Sequence, residues 1–409
     1  MPMASAESSI QAVTWKRLDG IDLLRGVAIF FVLMNHVNIR LLGAKVLYTK
    51  FLPAQLVHLL VWNGQLGVQM FFAVSGFLIT SITLRRWGSL SNVSLRDFYL
   101  FRFARIAPLL LLVLAILSGL HFAHVHNFIV PAKTGGLGRA LLAALTFHVN
   151  VLEARQGYLP GGWDVLWSLS VKEMFYLFFP LVCRAIGRGK LFLGTLFVFV
   201  VLGPFGRTVF AHGNGVWEEY SYLGGMEGIA LGCLTAIIVS RTSFSPSVLR
   251  ALGSVGAVVV ILSLGFSWQA YSGWLGRTGL NMTVLTIGTC MFIAATAQTQ
   301  WRSPRVLTPL LRIGQYSYEI YLTHMFVVFG LFGLFVDAGK SMRLVPVLFT
   351  VTILVAGVLG ALVSRFYSEP MNRSLRKYSE GARGKLGSVV DPQILSSEGL
   401  AANTRSEVP

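Results

Sequence analysis

The sequence predicts an all-α fold, a polytopic bundle of about ten transmembrane helices, and two observations predict it. The 409 residues have a mean hydropathy of +0.67 and only 12% of them are charged, against 54% hydrophobic; a soluble domain carries roughly a quarter charged residues. Apolar stretches of about 20 residues, the length that crosses a hydrocarbon core of ~30 Å, recur along most of the chain. A soluble globule is excluded.

Each stretch is bounded by basic residues. The first, 21–40, follows Lys16 and Arg17, and the second, 66–84, ends on Arg85 and Arg86. An arginine-rich loop carrying Arg96, Arg102 and Arg105 leads into the third, 107–125. Stretches 164–183 and 190–208 enclose the basic turn Arg184 to Lys190. Arg241 closes 222–240, Arg250 opens 249–268, and Arg302 follows 279–299. Arg312 precedes 314–336, and Arg365 follows 344–364. Residues 137–153 are apolar but short, and counting them as a span moves Arg184 to Lys190 to the outer side. They are expected to form an interfacial or re-entrant element.

With these spans, 22 of the 34 basic residues fall on one side, so the positive-inside bias is expected to place both termini in the cytoplasm, and the even span count agrees with it. The expected organisation is a cytoplasmic segment 1–20, a membrane domain 21–364 and a basic, then disordered, cytoplasmic tail 365–409, with no removable signal peptide and no attached soluble domain. The formal charge of +17 is spread over short interhelical runs, which act as topology signals and lipid contacts and argue against nucleic acid. Cys183, Cys233 and Cys290 lie far apart, and His121, His124 and His126 lack a fixed carboxylate partner, so neither a disulfide framework nor a metal site is expected. Oligomeric state is not legible.

The chemistry concentrates in the first span. A charge at the bilayer centre costs about 2.5–3.5 kcal/mol on insertion scales, which makes an intramembrane ionisable residue a functional candidate. Asp22 and Arg25 are one turn apart on one face. His36 lies eleven residues beyond Arg25, on nearly the same face and about 16 Å along the axis. One helix thus offers a guanidinium for phosphate and, farther along, an imidazole able to take a proton from a hydroxyl. Coenzyme A thioesters have that shape. Arg85, Arg86, Arg102 and Arg105 add guanidinium for the nucleotide phosphates, although basic residues in such a loop also serve as topology signals.

The blocks RLDGIDLLRGVAIFFVLMNH, GVQMFFAVSGFLIT, FYLFRFARIAP, WSLSVKEMFYLFFPL and SYEIYLTH resemble, in order, successive signatures of the acyltransferase type 3 family. The resemblance implies a ten-helix membrane enzyme with no permanently bound cofactor. Such an enzyme takes acetyl or a similar acyl group from cytoplasmic acyl-CoA to a carbohydrate hydroxyl on an exported polysaccharide, lipid-linked glycan or glycosylated metabolite, in a bacterial inner membrane. It implies Arg25 and His36 as the paired active-site residues, Arg102 and Arg105 as the basic loop, and Glu173 as the acidic residue of the tryptophan-serine block. Lys172, Gln69 and Met325 depart from the family pattern.

His36 is then general base or transient acyl carrier. The pantetheine arm is expected to thread between the helices from Arg25 to His36. Glu173 is expected to charge-balance His36 or hold the acceptor, with a Lys172–Glu173 surface pair as the plainer alternative. Ser317, Tyr321 and His324 share a helical face and serve as interhelical hydrogen-bonding groups or line the acceptor side, as does Ser75, with Gly76 permitting close helix approach. Glu227 is expected to be paired, its partner unnamed. A membrane transporter or flippase is the rival reading, but the inverted repeats and paired broken helices that mark such proteins are not detectable.

Overall fold

The computed structural model describes residues 18–377. Ten helices among them are long and apolar enough to cross a membrane. They are α1 (Asp19–Gly43), α2 (Gly64–Trp87), α3 (Leu95–Phe122), α4 (Leu166–Ile186), α5 (Lys190–Arg207), α6 (Tyr222–Arg241), α7 (Pro246–Gly265), α8 (Leu280–Thr299), α9 (Ser317–Asp337) and α10 (Val345–Val363). Every expected span is present. The largest difference lies at α3, which starts twelve residues before the expected 107. Arg96, Arg102 and Arg105 therefore stand on helix, where the Ser94 hydroxyl accepts the Asp97 amide at 3.4 Å and caps the first turn. Pro108 lies inside this helix, and the Ile106 and Pro108 carbonyls accept hydroxyls from Tyr318 and Tyr367 at 2.9 and 3.1 Å.

Residues 137–153 do not cross. They form two short helices, Gly136–Leu145 and Val149–Gln156. The last span continues past Ser364 as helix to Lys377, so the start of the basic tail is ordered. Residues 1–17 of the N-terminal segment and the Gly/Ser-rich tail from Gly381 lie outside the described residues.

Burial sorts the helices into layers. Two-thirds of the spanning windows that contain α1, α2 and α4 are buried (67%), against 22% for α5 and α7 and 28% for the window of α10. The outer helices turn Phe197, Ile261 and Leu354 outward, as a lipid-facing surface requires. The inner helices are those that carry Asp22, Arg25, His36 and Glu173. A buried charge in a bundle needs partners from neighbouring helices, and an interior position supplies them. Close packing at the centre uses small residues. A Cβ on Gly76 would overlap the Ile229 carbonyl, and one on Gly232 would overlap that of Ala73, so α2 and α6 meet backbone to backbone. Glu227, fully buried on α6, finds the partner that its sequence context hid: the Arg207 guanidinium at the end of α5, with the Thr283 hydroxyl donating to its other oxygen at 2.5 Å.

Candidate active site

A cavity of about 630 Å³ enters the bundle from the end where α1 begins. Arg25 of α1, Arg85 and Arg86 of α2, Arg102 and Arg105 of α3 and Arg376 beyond α10 all line it, with Lys172 of α4. Asp22, Glu319 and Glu369 are the carboxylates on its wall. Arg25 donates from Nε to the Ser317 hydroxyl at 3.0 Å and lies 3.7 Å from Asp22, the pair that three-residue spacing predicts. The cations converge because α1, α2 and α3 all bring their basic ends to the same side of the bundle. Its size falls within the 300–1,000 Å³ usual for ligand pockets.

Glu173 makes the Lys172 contact of the plainer reading and a shorter one to Arg102. Its carboxylate accepts Arg102 Nη2 at 3.0 Å and lies 3.8 Å from Lys172, while the Arg102 guanidinium stacks over Tyr176 with 3.6 Å to the ring centre. The His36 ring lies instead against His324, 5.0 Å between ring centres, with Arg40 one turn farther along α1. The Glu173 contacts tie it to Lys172, as in the plainer reading, and to the basic stretch of α3. Its own partner on α3 was within reach of the sequence, since a buried carboxylate on an inner helix must find a cation and Arg102 was already singled out.

The cavity ends on Val68, Phe71, Ser168 and Tyr321. The Tyr321 hydroxyl spans the gap to α4, pairing with the Ser168 hydroxyl at 2.7 Å and donating to the Val165 carbonyl at 3.0 Å. Beyond it lies His324, fully buried, whose ring centre is 5.8 Å from that of Tyr321 and 5.0 Å from that of His36. The expected open path from Arg25 to His36 is thus interrupted by one layer of side chains. His324 Nδ1 donates to the Tyr321 carbonyl at 2.7 Å. That contact fixes the ring and leaves Nε2, buried without a hydrogen-bond partner, as its other position for proton exchange. His36 and His324 form an imidazole pair that spacing alone does not predict, because the two residues are 288 positions apart in sequence.

On the other side of this pair stand residues that carried no individual signal in the sequence. Arg40 follows His36 by one turn and lies over the Phe329 ring at 5.0 Å; as a flanking charge it reads only as topology. Asp164 faces Arg40 and accepts the Tyr220 hydroxyl at 3.3 Å, and Tyr220 stacks on Trp167 at 4.0 Å. Glu153, fully buried, accepts the Leu159 amide at 3.0 Å. Burial, then the charge of Asp164, push its carboxyl well above the usual carboxylate range. No group of three or more metal-binding side chains occurs among the described residues.

The profile of the acyltransferase domain family, acyltransferase 3, matches residues 18–365. The chain is 23% identical over 372 residues to "O-acetyltransferase OatA" of Staphylococcus aureus strain NCTC 8325, covering 87% of this chain and 57% of the relative. It is also 23% identical over 375 residues to a "Putative O-acetyltransferase" of S. aureus strain COL, with the same coverage. The chain thus spans less than two-thirds of the length of these relatives. No solved structure matches.

Proposed function

The chain belongs to the acyltransferase 3 family and is an integral multi-pass membrane protein, and from that premise we propose that it is an acyl-CoA dependent O-acyltransferase acting on a carbohydrate hydroxyl. The named relatives are O-acetyltransferases, which favours acetyl as the acyl group. The observation that carries the donor assignment is the single cavity walled by Arg25, Arg102 and Arg105 that ends one side-chain layer short of the His36–His324 pair. Guanidinium forks match phosphate oxygens, so the nucleotide end of the donor lies against the arginines and the pantetheine arm points along α1.

In this reading the acceptor oxygen attacks the thioester carbonyl while His36 takes its proton. The carbon–sulfur bond breaks, the proton passes from the imidazolium to the departing thiolate, and the products are the ester and free CoA. Tyr321 must turn aside to admit the thioester, since it closes the cavity. The positive-inside bias puts the arginine end in the cytoplasm and His36 toward the opposite face, which makes the enzyme one that serves an outside acceptor from an inside donor, in a bacterial inner membrane.

The reading is tested by incubating the purified protein with radiolabelled acetyl-CoA and a panel of polysaccharides, lipid-linked glycans and glycosylated metabolites. Label transferred to a hydroxyl of one acceptor class, with release of stoichiometric CoA, is the expected outcome. Export of an unmodified glycan from proteoliposomes without acyl-CoA, and no transfer to any acceptor, sinks it in favour of a transporter.

A further inference from the structure

The helix that continues beyond α10 carries a polar stripe that neither the family match, which stops at residue 365, nor the spans account for. Ser368, Asn372 and Arg376 recur every four residues, so they share one face, and all three line the arginine-walled cavity. A π-helical turn at Ser364–Ser368 widens the helix where the stripe begins; such turns recur at functional sites. The Tyr367 hydroxyl ties the turn to the Pro108 carbonyl of α3 at 3.1 Å. Arg376 stacks on Phe101 at 5.0 Å, on a ring that Arg86 of α2 also covers at 3.9 Å. The segment is therefore built into the cavity mouth.

Asn372 is the informative member. Its amide oxygen is buried with no hydrogen-bond partner, and buried amide groups are paired in nearly all proteins. Cations on α1 and α3 already offer partners for the pyrophosphate of such a donor. An amide instead matches a group with a donor and an acceptor on one edge, and the adenine N6 and N7 positions form such an edge. We propose that Ser368, Asn372 and Arg376 form the nucleotide-reading part of the donor site, with Asn372 on the adenine edge and Arg376 at the ribose 3′-phosphate, which 4′-phosphopantetheine lacks. The assignment rests on the donor reading above and adds to it a specificity for the adenosine portion of CoA over its pantetheine arm.

Equilibrium binding of radiolabelled CoA and of 4′-phosphopantetheine, which lacks the adenosine, to the full chain in detergent tests it. Asn372→Leu and Arg376→Ala are expected to weaken CoA at least tenfold and to leave phosphopantetheine within about twofold of wild type. Asn372→Asp, nearly isosteric, guards against misfolding and should reproduce the loss. Equal weakening of both probes, or of neither, overturns the inference while leaving the donor assignment intact. Wild-type protein that binds no CoA overturns both.

Discussion

Replacing His36 by alanine is expected to lower the turnover of acyl transfer by about a hundred- to ten-thousandfold, the usual contribution of a positioned general base. Affinity for acyl-CoA should stay within a few fold, because His36 is not on the cavity wall and its ring contact is with His324, a layer beyond Tyr321. The split matters. A residue that merely supports packing lowers expression, stability and both kinetic constants together, whereas loss of a base lowers kcat alone. The histidine is only half-buried, and its removal leaves His324 held by the Tyr321 carbonyl, so insertion and folding should survive. Steady-state transfer of acetyl from radiolabelled acetyl-CoA measures the effect. A variant with ordinary turnover removes His36 from the mechanism.

Arg25→Ala is expected to show the opposite pattern. A hydrogen bond to a charged group contributes about 1.5–3 kcal/mol, so losing the Arg25 fork should raise the KM for acyl-CoA about ten- to a hundredfold and change kcat only slightly. The same substitution leaves Asp22 and Ser317 without the guanidinium they now contact, which gives a physical control. Arg25→Lys restores a charge near Asp22 but lacks the planar fork, so it should recover the stability of the wild type more fully than its donor affinity. The check is KM and thermal midpoint measured on all three proteins. Equal KM values for Arg25→Ala and wild type contradict the donor assignment.

These two residues were legible because a charged or titratable group inside a 20-residue apolar run is conspicuous. The ten spans were legible for the same reason, with length and hydropathy dominating every other signal. What the sequence hid is what depends on pairing between distant helices. Glu227 was visible as a buried carboxylate, but its partner Arg207 looked like an ordinary flanking charge. Arg40 was likewise counted as a topology signal, and its place over the Phe329 ring beside His36 is visible only in the folded bundle. Glu173 was read with Lys172 as one possible partner, and what stayed hidden is that the helical extension of α3 carries Arg102 to it as well. The start of α3 itself was misplaced because arginines argue against a span, while the cavity gives them a polar surface on which to remain helical. Asn372 carried no signal at all, since it lies past the last apolar stretch in a segment that reads as a tail.

The central claim is a direction along α1, with donor phosphates at Arg25 and the reacting carbonyl at His36. Cryo-electron microscopy of the full chain with a thioether analogue of acetyl-CoA, which cannot transfer its acetyl-like group, tests it most directly. The account predicts nucleotide density against Arg25, Arg102 and Arg105, a displaced Tyr321 ring, and the carbonyl of the analogue within about 4 Å of His36, near the contact distance of an attack-ready complex. Nucleotide density at the Arg40 and Asp164 end, or an analogue held wholly on the arginine side with Tyr321 unmoved, contradicts it.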